Sequence, residues 1–465
     1  MKTPPRPTSK TSPLRKNLGG LTVEGILATP WVALAIPGNL FVAALVTGAL
    51  GIPESKYGIL VSLPAWFNAL QLLFVPLLER FFPTRAVMIG AGFANVAVWL
   101  LLAVTLGFLP VDDPGRAFSI LFVYYIFLSF TQSLNGVSWM AWLQGWVPPR
   151  LRGRYFGLRN SLLGAATVVF VLLAGQVIGW FNETVLAYQI LFLAAGLLRI
   201  GSVWRLARIS AGDGPADRPP FRMFPPLRAM FAVRPFAWFV AFNTCIAFWM
   251  GFIGPFAPVY MGIYLELPVA RQATLVMLAN LAAAVAMPVW GRLMDVHGCK
   301  PVIAVSCILW MGSTYLWAFL TPATAWILFP MWLWGGCVSG GVILGAFNLL
   351  LKVVPPELKS GGVSVNLMVT SLAAAIAPIA GGFLLGSGLF GIERETLFRA
   401  AFIVQPTAMM LSLFLLRPLE EPRATSMRSV VGAFRSWRST LIGQGYFVLG
   451  SWVFFRRRRR NGGTR

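Results

Sequence analysis

The chain has 465 residues, of which 57% are hydrophobic and only 11% are charged, and its mean hydropathy is +0.73. A water-soluble domain cannot bury so much apolar surface, so the composition predicts an all-α polytopic membrane protein. The formal net charge of +23 lies in short loops and tails between apolar runs. That distribution is typical of membrane topology and argues against nucleic acid as a partner.

Twelve apolar stretches are long enough to cross a bilayer as helices, which takes about 20 residues each. Their predicted bounds are 25–50, 57–78, 86–108, 118–146, 155–181, 184–206, 236–263, 273–294, 301–320, 325–353, 362–390 and 396–416. A polar stretch separates the sixth from the seventh and is predicted to be a linker. The resulting organisation is a basic N-tail 1–24, an N-terminal bundle 25–209, a linker 210–235, a C-terminal bundle 236–417 and a basic C-tail 418–465.

The positions of the basic residues orient the predicted spans. Of the 38 basic residues, five are assigned to one side of the membrane: Lys56, Arg116, Arg271, Arg394 and Arg399. The others are assigned to the opposite side, which carries both tails. Because basic loops stay in the cytoplasm, this split predicts that both termini are cytoplasmic. The short loops and tails favour a cell inner membrane.

The two predicted bundles share short sequence features. The segment 147–152 after the fourth span reads VPPRLR, and the segment 354–359 after the tenth span reads VPPELK. The second and eighth spans also end alike, with an arginine four residues after Pro76 and after Pro288. Two related six-helix halves are typical of transporters that arose by parallel duplication.

The loop 291–300, between the eighth and ninth spans, reads GRLMDVHGCK. Gly291 allows close helix approach, Gly298 permits a tight turn, and Lys300 starts the next span on the cytoplasmic side. Asp295 can accept hydrogen bonds from the free N–H groups of a nearby helix N-terminus. With twelve spans in two halves, this loop resembles the signature of the major facilitator superfamily of secondary transporters, and the resemblance covers about 25–416.

The resemblance implies two six-helix bundles that rock about a central site, and a conformational latch made by Gly291, Asp295, Gly298 and Lys300. Asp295 would contact the start of the eleventh span near 360–362. The corresponding loop of the first half, 76–85, reads PLLERFFPTR and has neither the glycines nor the aspartate. A latch is therefore expected in the second half only. The alternative is an ordinary tight loop with dispensable charges.

Charged residues are expected to be absent from the centre of the bundle. None of the fifteen acids lies in the middle third of a predicted span, and Glu24 lies at the inner edge of the first. Arg159, one turn into the fifth span, is predicted to extend to the inner surface, the alternative being that it faces the cavity. A proton relay therefore has little support. Three possibilities stay open: transport is coupled to an ion through Glu24, it is coupled through a Na⁺ site, or it is not coupled.

Amide and indole side chains occur where charges do not. The resemblance implies that spans one, four, seven and ten line the cavity. The candidate cavity residues on them are Asn39, Gln132, Asn135, Trp139, Asn243, Trp249 and Asn348. A buried amide needs hydrogen-bond partners, which are either a solute or a neighbouring helix. These residues predict a small, neutral or amphipathic organic solute.

Two other classes of protein compete with a solute carrier. One is a polytopic membrane enzyme, which needs acids, histidines or metal ligands clustered at one membrane face. The other is a receptor-like relative that does not transport. The four cysteines have no metal-binding spacing, and neither a metal nor a cofactor is expected. We expect a monomer whose C-tail binds anionic lipid, either as an interfacial helix or as a solvated basic segment.

Overall fold

The computed structural model describes residues 13–147, 149–209, 231–354, 359–386, 391–421 and 424–435. The N-terminal half consists of six long helices: α1 Pro13–Ala35, α2 Glu54–Phe81, α3 Thr84–Leu106, α4 Pro114–Trp146, α5 Pro149–Trp180 and α6 Val185–Ala207. Helix α1 continues, after a break, as Leu40–Ala43 and the π-helical turn Ala44–Ala49. It begins at Pro13, well before the predicted first span.

The C-terminal half repeats this arrangement. Its helices are α7 Arg234–Ile253, α8 Val269–His297, α9 Cys299–Thr314, α10 Leu328–Val353, α11 Lys359–Gly386 and α12 Arg394–Ser412. Short helical extensions follow α7, at Gly254–Phe256 and Ala257–Ile263, and α12, at Leu413–Leu416. A further short helix, α13, spans Met427–Arg435. The linker from 210, most of the basic C-tail and the first twelve residues lie outside the described residues.

The described part of the chain contains helices and no strands, which confirms the predicted all-α class. Eleven of its helical segments are long and apolar enough to cross a membrane. Helix α2 is not among these eleven segments, but it has 28 residues. With it, the described residues contain twelve long helices, six in each half. The twelve predicted spans therefore correspond to α1–α12, with boundaries that differ by several residues.

The break in α1 follows from its sequence. Pro37 and Gly38 interrupt the helix, and Asn39 then caps the next segment. The Asn39 Oδ1 atom accepts a hydrogen bond from the N–H of Val42 at 2.9 Å, while its Nδ2 donates to the carbonyl of Leu34 at 3.0 Å. A side chain that satisfies backbone groups freed by a proline keeps an irregular segment stable inside the bundle.

The two halves contact each other through α2 against α11 and through α5 against α8. A Cβ atom on Gly58 of α2 would lie 2.1 Å from the carbonyl oxygen of Pro378, so only glycine permits this approach. A Cβ atom on Gly175 of α5 would lie 2.6 Å from the Cβ atom of Ala273 on α8. These contacts lie at the end of the bundle opposite the chain termini. We name that end the distal face, and the end that carries Pro13 and α13 the terminal face.

Three polar contacts also join the halves at the distal face. Glu54 of α2 forms an ion pair with Arg394 of α12 at 2.5 Å. The carboxylate of Glu183, in the loop after α5, accepts a hydrogen bond from the N–H of Val269 at 2.7 Å. The Tyr57 hydroxyl donates to the carbonyl of Pro255 at 3.3 Å. One continuous apolar cluster surrounds these contacts and includes residues of both halves.

Candidate functional site

Three charged side chains meet inside the N-terminal half. Glu24 of α1, Arg159 of α5 and Arg199 of α6 are 4%, 8% and 4% exposed. Glu24 Oε2 lies 3.3 Å from Arg159 Nη2, and Glu24 Oε1 lies 3.5 Å from Arg199 Nη1. One carboxylate thus lies between two guanidinium groups, so the cluster carries one unmatched positive charge.

Neighbouring polar side chains complete this cluster, which we call the N-half charge network. Ser202 accepts a hydrogen bond from Arg199 at 2.8 Å and donates to Glu24 at 3.2 Å. Asn135 Oδ1 accepts from Arg199 Nη2 at 3.3 Å, and its Nδ2 donates to the carbonyl of Met88 at 2.8 Å. The network therefore links α1, α4, α5 and α6, and one of the candidate cavity amides is part of it.

Two indole rings cover the guanidinium groups. The Arg159 guanidinium carbon lies 5.2 Å from the ring centroid of Trp139, another candidate cavity residue. The Arg199 guanidinium carbon lies 4.5 Å from the ring of Trp31 on α1. The negative face of an indole stabilises a cation, most strongly where water is excluded. These rings therefore offset part of the cost of burying a second arginine.

Two sequence-based interpretations are wrong here. Arg159 does not extend to the surface, because Glu24 and the indole of Trp139 hold it inside the bundle. The centre is also not free of fixed charge, because Arg199 is buried although the charge census treated it as a surface cation. An arginine eight residues before the end of a spanning helix is itself a signal, since such residues are rare and nearly always paired inside the bundle.

The remaining candidate on α4, Gln132, is half-buried one turn before Asn135. Gln132, Asn135 and Trp139 are three and four residues apart and therefore lie on one face of α4. Gly136 and Met140, which directly follow Asn135 and Trp139, are exposed. This α4 face therefore presents amide and indole groups at an accessible surface. Asn39 uses its amide for the cap at the break in α1. Asn135 uses its amide for the hydrogen bonds with Arg199 and Met88, so an accessible solute would meet mainly Gln132 and Trp139 unless those bonds exchange.

Two of the three candidates of the C-terminal half contact neighbouring helices, and the third packs against rings of its own helix. Asn243 Nδ2 donates to Asn366 Oδ1 at 3.1 Å, which joins α7 to α11. Asn348 Nδ2 approaches the sulfur of Met294 at 3.6 Å, which joins α10 to α8. Trp249 packs edge-on against Phe248 and Phe252. Unlike Asn135 and Trp139, these three side chains do not converge on one charged cluster.

The hairpin between α8 and α9 is tight. Gly298 has a φ of 91°, a conformation that L side chains rarely adopt. Asp295 is exposed, and in the described part of the chain no hydrogen bond or ion pair reaches its carboxylate. A different acid, Glu421, accepts the hydrogen bonds of the hairpin. The latch role of Asp295 stays a prediction.

Glu421, in the segment after α12, caps the N-terminus of α9. Its carboxylate accepts hydrogen bonds from the N–H groups of Cys299 and Lys300 at 2.9 and 2.8 Å, and from Lys352 Nζ at 2.7 Å. Burial alone would raise the pKa of Glu421, but these hydrogen bonds and the Lys352 charge hold the pKa below its usual value. The cap was not foreseen, because it joins residues more than a hundred positions apart.

Equivalent cations cap equivalent helices in the two halves. Lys300, at the start of α9, donates to the carbonyls of Arg417 and Leu419 at 3.0 and 2.7 Å. Arg85, at the start of α3, donates to the carbonyls of Ala207 and Ile209 at 3.0 and 2.9 Å. In each case a basic side chain satisfies carbonyls at or just after the end of the last long helix of its half.

No group of three or more His, Cys, Asp and Glu side chains among the described residues could hold a metal ion. The fold and the site define a multi-pass membrane protein of two six-helix halves with a polar network inside one of them. The model of the Major Facilitator Superfamily matches residues 31–270 and 244–460. The chain therefore belongs to the major facilitator superfamily and is a membrane transporter.

A curated relative matches part of the chain. The multi-drug resistance efflux pump PmrA of Streptococcus pneumoniae is 29% identical over 171 residues, which is 36% of this chain and 41% of the pump. The matched region thus spans only about two fifths of that relative, so its activity bears on this chain only as a proposal.

Solved transporters share the fold at low identity. A mutant of the nucleoside transporter NupG superposes with a TM-score of 0.69 at 11% identity, covering 87% of this chain and 100% of NupG. A D-xylose-proton symporter gives 0.65 at 13% identity, covering 89% of this chain and 100% of the symporter. A bacterial homologue of the human lysosomal transporter Spinster gives 0.63 at 16% identity, covering 86% and 94%. At these identities the similarity shows the fold alone.

Proposed function

We propose that this transporter moves a small amphipathic organic solute, neutral in its polar part, by alternating access between its halves. The observation that carries the proposal is the α4 face of Gln132, Asn135 and Trp139. Polar side chains on a spanning helix face the bundle interior or a water-filled cavity rather than lipid. Amide and indole groups bind the hydroxyl, carbonyl and aromatic parts of such solutes without needing a charge.

The contacts between the halves at the distal face bear on the conformational change in this proposal. An ion pair, two hydrogen bonds and closely packed glycines hold the halves together at one end. Polar contacts of this kind can break and re-form as the halves rock about a central site. The distribution of basic residues supports a cytoplasmic location for the terminal face. We propose an inner-membrane monomer with both termini inside, in a conformation closed to the outside.

A second candidate solute is an organic anion. The N-half charge network contains two buried guanidinium groups and one carboxylate. An uncompensated buried cation is costly, so a carboxylate or phosphate on the solute would gain by pairing with it.

The partial similarity to a multi-drug efflux pump supports the first candidate, the amphipathic solute, and supports export as the direction of transport.

A ligand-stabilisation screen on the purified protein separates these candidates. Panels of neutral, cationic and anionic amphipathic compounds are compared by the shift in Tm, and hits are tested for transport in proteoliposomes. We expect neutral or amphipathic compounds to stabilise the protein and to be transported. Exclusive stabilisation by anions supports the second candidate, and failure of every hit to cross the membrane contradicts a carrier. Imposed proton and Na⁺ gradients in the same vesicles identify the coupling ion.

Side-chain replacement tests the α4 face directly. We expect Asn135→Ala and Trp139→Ala to lower transport at least about tenfold, because each removes a solute contact of roughly 1.4 kcal/mol or more. Trp326→Ala is the matched control, since this indole is 66% exposed near the distal face. Equal losses in the control and the α4 variants would contradict the assignment of the cavity.

A further inference from the structure

A basic pocket of about 330 Å³ lies at the terminal face, between the start of α1 and the end of α6. Its lining consists of Lys16, Asn17, Gly20, Arg205, Arg208 and Ile209. Three of these six residues are cations and none is an acid. Gly20 is buried and forms part of the floor, next to the side chains of Ile209 and Arg205. The pocket therefore combines a small volume with a strongly positive lining.

The three cations are available to a ligand. Among the described residues none of them forms an ion pair, and the side chains of all three are exposed. The Arg208 guanidinium lies 3.5 Å from the ring centroid of Trp204, which orients it without neutralising it. Like charges this close repel one another, so an anion that binds among them relieves that repulsion.

The end of α6 has a second feature that favours anion binding: its terminal carbonyls already have a cationic partner. The carbonyls at a helix C-terminus carry partial negative charge and repel an anion. Arg85 satisfies two carbonyls at the end of α6, because it donates hydrogen bonds to those of Ala207 and Ile209. The local dipole is thereby neutralised, and Lys16, Arg205 and Arg208 are not needed as caps.

Exposed apolar side chains continue from the pocket along the same helix faces. Val23, seven residues after Lys16 on α1, is 42% exposed. On α6, Leu197 and Leu198 lie eight and seven residues before Arg205, and they are 63% and 41% exposed. Seven- and eight-residue intervals return to the same face of a helix. An occupant with a charged head in the pocket thus meets an apolar surface directed into the membrane.

We propose that this pocket binds the phosphate headgroup of an anionic phospholipid, with the acyl chains against Val23, Leu197 and Leu198. Basic residues at the cytoplasmic ends of spanning helices attract anionic lipid, each contributing a several-fold gain in affinity. The apolar surface beside the pocket favours a lipid over a soluble phosphate. This site is separate from the basic C-tail and from the α4 face, and it does not depend on the identity of the solute.

The test compares two matched triple variants of the full-length protein in detergent. The first is Lys16→Gln, Arg205→Gln and Arg208→Gln. The control is Lys56→Gln, Arg116→Gln and Arg271→Gln, which removes one lysine and two arginines from the distal face. Native mass spectrometry counts bound dioctanoyl phosphatidylglycerol, with dioctanoyl phosphatidylcholine and inorganic phosphate as separate arms. Arg208→Gln alone is measured as well, in case the first triple variant does not fold.

We expect the first triple variant to bind phosphatidylglycerol at least about tenfold more weakly than the parent protein. The Arg208→Gln variant should bind it several-fold more weakly. The control triple variant should bind it with the same affinity as the parent protein. Phosphatidylcholine binding should not change in any variant. Equal losses in both triple variants, or equal binding of the two lipids by the parent protein, overturn the proposal. Displacement of phosphatidylglycerol by equimolar inorganic phosphate also overturns it, because the ligand is then a soluble anion.

Discussion

The two halves share one fold but hold their helices together differently. Among the described residues, the charged residues that are buried as whole residues all lie in the N-terminal half: Glu24, Glu54, Arg159 and Arg199. The Glu421 side chain is also buried, but it lies after α12, where it caps α9. The C-terminal half instead brings α10 against its neighbours through glycines, and Gly336 contacts the backbone of Ala279 on α8. Buried charged contacts are thus prominent inside the first half, and close approach of helix backbones is prominent inside the second. Two halves with the same helix arrangement can therefore be stabilised by different interactions.

The largest effect is expected from removing the carboxylate of the N-half charge network. Glu24→Gln leaves two buried guanidinium groups without a counter-charge, which costs roughly 3–5 kcal/mol. The thermal unfolding of the purified variant measures this loss. Glu395→Gln is the control, because the pair of Glu395 with Arg399 is partly exposed and contributes at most about 1 kcal/mol. Similar losses in both variants would show that the network does not stabilise this half.

The second prediction concerns glycine packing in the other half. A Cβ atom on Gly336 would lie 2.2 Å from the carbonyl oxygen of Ala279, so Gly336→Ala must push α10 away from α8. We expect a loss of about 1–3 kcal/mol. Gly136→Ala on α4 is the matched control, because nothing lies within 4 Å of the added methyl group. Unfolding measurements that give equal values for the two variants would contradict the contrast between the halves.

The third prediction concerns the cap of α9. Glu421→Gln weakens hydrogen bonds to a charged acceptor and should cost about 1–2 kcal/mol of local stability. Hydrogen exchange at the Cys299 and Lys300 amides should accelerate about five- to thirtyfold at neutral pH. Glu420→Gln, at the exposed neighbouring position, should leave this exchange unchanged.

This cap also predicts a dependence on pH. The pKa of Glu421 is lower in the folded protein than its ordinary value of 4.5. The stabilisation is therefore fully present above about pH 4.5 and is lost as the pH falls through the lower, folded value. The difference in exchange between the parent protein and Glu421→Gln should accordingly shrink in acid. A difference that grows in acid would contradict the assigned hydrogen bonds.

The smallest effect is expected where the halves meet. Glu54→Gln removes the ion pair with Arg394, which is 47% exposed, so we expect a shift of no more than about 1 kcal/mol between closed and open distal faces. Spin labels placed on the distal ends of α2 and α11 measure the distance distribution. An increase in the longer-distance population is expected. A distribution identical to that of the parent protein would show that Glu54 does not hold the distal face closed.

Local sequence signals predicted most of the fold. Apolar stretches of membrane length predicted the twelve helices, and the glycine at 298 predicted the tight turn that its positive φ requires. The same signals missed the charge network. Arg199 was assigned to the surface because charge counting by loops does not register depth along a helix. Its pairing with Glu24 depends on α1 and α6 lying side by side, which no local pattern specifies.

The candidate site was predicted unevenly for the same reason. Spacing along α4 placed Asn135 and Trp139 on one face, and the structure brings both into contact with the network. Asn39 was chosen for the same amide chemistry, but the adjoining Pro37 and Gly38 create backbone groups that it must satisfy. Glu421 was overlooked because its partners are far away in sequence.

The cap by Glu421 also sets a practical limit on how the protein can be shortened or tagged. Thr425 donates a backbone hydrogen bond to the carbonyl of His297 at 2.9 Å, and Val430 is fully buried against the C-terminal half. The segments 417–421 and 424–430 are therefore part of the folded unit, although they follow the last spanning helix. A protein cut at Leu416 would expose the start of α9 to water. Affinity tags and fluorescent fusions belong after residue 435.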